Sequence, residues 1–165
     1  VGALPEDIVL TFSLSKGFGT NGGGVLLPSR AQEDIIRLFG QTYAFSAALD
    51  FSIIAATKAA LQLHVDGTVS ALQRELRTRV ELFDSLWPAP VEGYSPIRMV
   101  ALPSAERGLD VGEGLIDRGY FVTVALFPVV PRENPQLRLC LSVGHTPADI
   151  QGVVGAIRTL TAPTA

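Results

Sequence analysis

The sequence specifies an α/β chain in two parts, and three observations lead to that reading. Near the start, a glycine-dense turn joins two apolar, strand-like runs. Three helix-patterned segments follow, the second rich in alanine and the third in charge. Beyond Pro88, strands and helices succeed one another as β-α-β-β-α, the order of a compact α+β unit. The length fits one domain, or a domain and a half, and Asp66-Gly67 is expected to break the chain between the two helices.

Bulk properties narrow the function. The chain has 165 residues, 47% of them hydrophobic, which is ample material for a core. Its formal net charge is -3 and no basic run occurs, so nucleic-acid binding has no electrostatic support. Apolar runs are short and interrupted, so neither a membrane span nor a signal peptide is expected, and the cytoplasm is the expected location. A single cysteine, Cys140, excludes an internal disulfide and leaves no metal cluster.

The first strand is expected over Ile8 to Phe12, followed by the turn Ser13-Leu14-Ser15-Lys16-Gly17-Phe18-Gly19-Thr20-Asn21-Gly22-Gly23-Gly24 and a second strand-like run, Val25-Leu26-Leu27, stopping at Pro28. Ser29 is the expected N-cap of a helix, with Gln32 at the capping-box position. Ile35, Ile36, Leu38 and Phe39 are its expected buried face, and Gly40 its end. Tyr43 to Leu49 is expected to be irregular, with Asp50 capping an alanine-rich helix over Phe51–Val65. Lys58 and His64 on that helix read as solvated or edge residues. A charged amphipathic helix follows from about Val69 to Trp87, with Leu72, Leu76, Val80, Phe83 and Leu86 at spacings of three and four. Pro88-Ala89-Pro90 punctuates the chain. Then come a strand (Ile97 to Leu102), a helix (Glu106 to Arg118), a strand (Phe121 to Leu126), a proline-rich loop, a strand (Leu137 to Val143) and a last helix (Pro147 to Leu160) with Thr146 as N-cap and Pro147 at its first position.

Two stretches carry chemistry. In the glycine turn, Lys16 ends an expected buried strand beside Ser13 and Ser15. A lysine so placed reads as an imine-forming nucleophile once partly desolvated. The glycines admit positive φ and close approach of a ligand, and the hydroxyls and free N–H groups of such a turn can hold an anion. Gly17-x-Gly19-x-x-Gly22 also matches the dinucleotide fingerprint, but a strand-like run follows where that motif needs a helix. The plainer alternative is a surface lysine beside a glycine hairpin.

The second stretch is Leu137 to Thr146. Alternation places Arg138, Cys140 and Ser142 on one face of a strand and Leu139, Leu141 and Val143 on the other. An arginine in so apolar a strand calls for an anion, whether a ligand carboxylate or an Asp or Glu of the chain itself. His145 reads as a loop residue with a satisfied ring.

Ser13-x-Ser15-Lys16-Gly17-Phe18-Gly19-x-x-Gly22-Gly23 resembles the lysine motif of fold-type I pyridoxal-phosphate enzymes (aminotransferase class I/II). Among these it is most similar to the α-oxoamine synthase branch: 8-amino-7-oxononanoate synthase, glycine C-acetyltransferase, 5-aminolevulinate synthase and serine palmitoyltransferase. Arg138-x-x-x-Ser142-x-x-His145-Thr146 is similar to the C-terminal signature of the same branch. Phe45-Ser46-Ala47-Ala48-Leu49-Asp50 partly resembles its Phe-Ser-Thr-Ala-Leu-Pro-Pro segment, with Ala47 in place of the threonine and Asp50-Phe51 in place of the prolines. The likeness runs from Pro5 to about Leu160.

The resemblance implies the end of the large cofactor-binding domain over residues 1–66, followed by the small α+β C-terminal domain over 67–165, in a homodimeric enzyme. It implies that Lys16 binds pyridoxal 5'-phosphate covalently, that Ser13 contacts its phosphate, that Ser46 reaches the cofactor phosphate of the neighbouring subunit, and that Arg138 binds the carboxylate of an amino-acid substrate. The implied reaction joins that amino acid to an acyl-CoA with decarboxylation. A class I/II aminotransferase, or a non-catalytic partner or fragment, are the alternatives. The sequence begins at Val1 and enters its first strand almost at once, so it is expected to be the C-terminal half of the enzyme. The aspartate for the pyridine nitrogen and the stacking ring would lie in the preceding half.

Overall fold

The computed structural model describes residues 5–87 and 95–162, and the Pro88-Ala89-Pro90 break lies outside the described residues. Chain contacts divide the molecule into two compact units, Val1–Val69 and Ser70–Ala165.

In the first unit, β1 (Leu10–Ser13) and β2 (Gly23–Leu26) form an antiparallel hairpin, pairing Leu10 with Leu26 and Ser13 with Gly23. Glycine is required where the strands close: a Cβ on Gly23 would sit 2.4 Å from the Phe12 carbonyl oxygen. α1 (Arg30–Phe39) starts on Ser29, whose Oγ accepts from the Gln32 N–H at 3.3 Å and donates to the Gln32 side chain at 3.2 Å. A short α2 (Gln41–Ala44) opens the stretch expected to be irregular, and α3 (Phe51–Val65) follows as expected. Asp50 stands at its N-cap without a side-chain capping bond, which corrects the capping role read from sequence.

Burial is the larger departure. β1 is exposed along its length rather than buried, and so is the apolar face of α1, where Leu38 and Phe39 are 74% and 78% exposed. Among the described residues of this unit only Leu14 is buried. A two-stranded hairpin and single helices have no second layer of their own to cover them. The pattern correctly marks these residues as apolar, and nothing among the described residues of the unit covers them.

The second unit has a core of its own. α4 (Thr68–Leu86) leads into β3 (Ile97–Ala101), α5 (Ala105–Ile116), β4 (Thr123–Ala125), β5 (Gln136–Cys140) and α6 (Pro147–Thr161). The sheet is antiparallel in the order β3-β5-β4. Val100, Leu137 and Leu139 on one face join Val80 and Phe83 of α4, Val111 and Leu115 of α5, and Ile150, Val154 and Ile157 of α6 in a single apolar cluster. α6 opens with a full capping box: Thr146 Oγ1 accepts from the Asp149 N–H, and the Asp149 carboxylate accepts from the Thr146 N–H at 2.8 Å. Those two donations, from the Thr146 hydroxyl and then its N–H, hold the Asp149 carboxyl below the usual carboxylate range.

Arg98 shares the helix-facing side of the sheet and is 1% exposed. Its Nε and Nη2 donate to the two oxygens of Asp84 on α4, at 2.5 and 2.7 Å, and its Nη1 donates to the carbonyls of Ser95 and Ile97. This bidentate pair, led by the Asp84 hydrogen bond, raises the Arg98 guanidinium above its ordinary value. The buried arginine–carboxylate pair that sequence reasoning considered for Arg138 is made by Arg98 instead.

Candidate active site

The lysine turn is built from the hairpin upward. Leu14 N–H donates to the Gly22 carbonyl at 2.9 Å, extending the β1–β2 ladder by one bond. Inside it, Gly19 N–H donates to the Lys16 carbonyl at 2.9 Å and Thr20 N–H to the Leu14 carbonyl at 3.1 Å. Gly19 and Gly22 hold φ of 61 and 92°, the left-handed region that glycine enters without steric cost. The glycine run therefore closes an antiparallel hairpin, a geometry unlike the strand–helix unit that a dinucleotide fingerprint requires.

Lys16 stands on the outside of this turn, exposed, and makes no hydrogen bond or ion pair with the described residues. Beside it the Ser13 and Ser15 hydroxyls lie 2.8 Å apart, and the Ser15 N–H donates to Ser13 Oγ at 3.2 Å. A free amine and two converging hydroxyls thus share one turn. The desolvation expected from a buried strand is absent within this unit, because β1 is exposed.

Ser46 lies elsewhere in the first unit. Its hydroxyl donates to the Thr42 carbonyl. With Thr42 and Tyr43 it lines a groove of about 1000 Å³ that runs along β2 and the start of α1, and Lys16 is outside that groove. Arg30 and Arg37 also line it, but both are engaged: Arg30 with Glu33 and Asp34, Arg37 with Glu33 and Tyr43.

Arg138 belongs to the second unit. It is exposed on the face of the sheet away from the helices, in a cross-strand row with Met99 and Thr123. Neither an ion pair nor a hydrogen bond to the described residues engages its guanidinium. It lines a cleft of about 530 Å³ with Tyr120, Phe121, Cys140, His145 and Asp149. The alternation read from sequence holds for Arg138 and Cys140, and the strand ends at Cys140, so Val143 falls in the loop. His145 is a satisfied loop residue: its Nδ1 accepts from the Ser142 N–H at 3.2 Å, and its carbonyl accepts from Arg79 Nε at 2.9 Å.

Sequence reasoning missed two contacts to the lysine turn. The Phe18 ring stacks on His64 of α3, with centroids 4.8 Å apart and planes at 26°. Thr57 of α3 donates to Thr20 Oγ1 at 3.1 Å. Partners separated by 46 and 37 residues leave no local signal; only the spacing of Thr57 and His64, seven apart on one helix face, hinted at a shared neighbour. Among the described residues, no group of three His, Cys, Asp or Glu side chains is placed to hold a metal ion. No helix among them is long and apolar enough to cross a membrane.

Each unit thus presents a cation without a partner among the described residues: Lys16 on a serine- and glycine-lined hairpin turn in the first, and Arg138 in a cleft in the second. The chain is 29% identical over 161 residues to the 8-amino-7-oxononanoate synthase of Saccharophagus degradans, covering 94% of this chain and 40% of that protein. It is 31% identical over 157 residues to the serine palmitoyltransferase of Caulobacter vibrioides, covering 90% of this chain and 37% of the relative. A solved structure of SPT with PLP superposes at a TM-score of 0.74 with 26% identity, over 92% of this chain and 39% of that one. The matches fall on the C-terminal part of these proteins, and the fold is that of this portion of them. No model of a known protein family matches the chain. The chain spans about two fifths of the length of the curated relatives it matches.

Proposed function

We propose that this chain supplies the lysine and the substrate arginine of a pyridoxal-phosphate-dependent enzyme that condenses an amino acid with an acyl-CoA, with loss of CO₂. The observation that carries the reading is the free amine of Lys16 set beside the paired hydroxyls of Ser13 and Ser15 on the glycine hairpin. The residues fit the cofactor, since an aldehyde needs an amine and a phosphate needs donors. When bound, pyridoxal phosphate supplies an electron sink at the amino acid's α-carbon.

The chain's own residues do the rest. Lys16 Nζ would hold the cofactor covalently and would take and return the proton at the substrate's α-carbon. Ser13 Oγ would donate to the phosphate, and Ser46, in a groove that does not include Lys16, would reach the phosphate held by the neighbouring subunit once its hydroxyl turns away from the Thr42 carbonyl. Arg138 offers a planar fork with no competing partner, suited to gripping a carboxylate through two parallel bonds. Residues 1–66 are then the end of the large cofactor-binding domain and 67–165 the small one. The two units meeting at Val69 and Ser70 support that division, as does Gly67, at φ 86°, following α3. A homodimer in the cytoplasm completes the reading. The exposed apolar residues of the first unit, such as Leu38 and Phe39, support an interface there.

The full-length enzyme, given an amino acid and an acyl-CoA together, is expected to release free thiol and CO₂ without any keto acid. Panels of amino acids with and without acyl-CoA, followed by a thiol reagent and by the absorbance spectrum, test this. Turnover that needs a keto acid and releases no thiol would replace the synthase with an aminotransferase.

Arg138→Ala is expected to weaken amino-acid binding by about 2–5 kcal/mol, the cost of leaving a carboxylate without its bidentate partner, and to leave the cofactor spectrum unchanged. Arg138→Lys recovers part of the loss, because a point charge cannot reproduce the fork. Substrate titrations followed by absorbance measure both. An unchanged affinity in Arg138→Ala removes the residue from the substrate site.

A further inference from the structure

We propose that His64 and Thr57 of α3 are positioning residues for Lys16: His64 holds the turn through the Phe18 ring, and Thr57 holds it through the Thr20 hydroxyl. This deepens the cofactor reading of Lys16 and rests on it.

The turn has little of its own to fix the lysine. Lys16 is exposed, and a Cβ added at Gly17 or Gly19 would meet nothing within 4 Å. Backbone bonds close the turn upon the hairpin itself and do not involve the Lys16 side chain. Phe18 and Thr20 follow Lys16 by two and four residues and flank Gly19, whose positive φ makes the tight corner. Both reach the same helix.

Thr57 and His64 are seven residues apart, two turns along one face of α3, so they anchor the turn at two separated points. The polar anchor continues inward. Thr57 donates to Thr20 Oγ1, Thr20 donates to the Leu14 carbonyl at 3.3 Å, and Leu14 is the buried residue of the unit. A turn pinned at one point can rotate about it, whereas two points on one helix remove that freedom. For a group that must meet a bound aldehyde and then a substrate proton, a misplacement of about 1 Å costs on the order of 10²-fold in rate.

The sequence supplies an internal control, since Lys16 and Lys58 are its only lysines and Lys58 is exposed on the same helix. The protein at its full natural length is mixed with pyridoxal phosphate and reduced with borohydride at timed intervals. Label at Lys16 is then measured against label at Lys58 by peptide mass spectrometry. His64→Ala and Thr57→Val are each expected to lower the Lys16-to-Lys58 labelling ratio about fivefold, in keeping with the loss of one ring stack or one hydrogen bond. His64→Phe, which keeps a ring, and Thr57→Ser, which keeps the hydroxyl, are expected to stay within about twofold of the unsubstituted protein on the same grounds. An unchanged ratio in the first pair of variants overturns the inference, as does a failure of the second pair to recover it. Absence of label at Lys16 in the unsubstituted protein is a separate result, and it overturns the cofactor reading beneath.

Discussion

On the proposed function, Lys16→Ala is expected to leave the protein folded and to remove both the covalent hold on pyridoxal phosphate and the turnover. The side chain is exposed and touches no partner in its unit, so its loss costs the fold no more than about 0.5 kcal/mol, the usual range for surface substitutions. Its chemistry has no substitute nearby. The Ser13 and Ser15 hydroxyls cannot replace an amine, and Lys58 lies on α3. Losing a positioned proton-transfer group alone costs about 10²–10⁴-fold, and losing the covalent attachment adds to that. Lys16→Arg does not rescue the activity, because a guanidinium stays protonated and cannot act as the nucleophile. Absorbance with added cofactor, a thermal melt and a thiol-release assay on the same preparations separate these effects. A variant that keeps both the visible cofactor absorbance and turnover would remove Lys16 from the chemistry.

Asp84→Ala is expected to act in the opposite sense: it destabilises the second unit and removes none of the groups assigned to the proposed chemistry. The change leaves the buried Arg98 guanidinium with only the Ser95 and Ile97 carbonyls. Stranding a buried charge in this way costs about 3–5 kcal/mol, which lowers the melting temperature by on the order of 10 °C in a chain of this size. Arg98→Met costs less, because the Asp84 that remains is 38% exposed and can be hydrated. In an Asp84→Ala background the same change recovers much of the loss, since no buried charge then remains unpaired. Thermal melts of the two single variants and the double variant check the cycle. Equal melting temperatures for Asp84→Ala and the unsubstituted protein would show that the pair contributes nothing. Arg138→Ala, on the exposed face of the same sheet, leaves the melt where it is.

The contrast between Arg98 and Arg138 shows how much of the molecule the sequence makes legible. Both arginines sit in short strands among apolar residues. Alternation correctly gave Arg138 the face opposite Leu137 and Leu139. The same rule applied to Ile97-Arg98-Met99-Val100 would have placed Arg98 beside Val100, on the buried side, and Asp84 follows the core residue Phe83 one position along α4. Helix ends were legible where the signal is local: Ser29 before α1, Asp66-Gly67 after α3, and Thr146-Pro147 with Asp149 at α6 are all decided within a few residues.

Burial in the first unit was not legible, since apolarity marks what asks for cover and says nothing of where the cover lies. β1 and α1 therefore read as core and stand exposed. The motif around Lys16 was legible as chemistry. Its two attachments to α3 were not, because a stacked ring and a hydroxyl pair across 46 and 37 residues depend on the path of the whole unit.

The most direct test of the central claim is the mass of one peptide. The full-length protein, incubated with pyridoxal phosphate, reduced with borohydride and digested, is expected to carry the reduced cofactor on Lys16 within the Ser13 to Gly24 stretch. Stoichiometric label on Lys58 instead, or a protein that emerges with no label on Lys16, would contradict it.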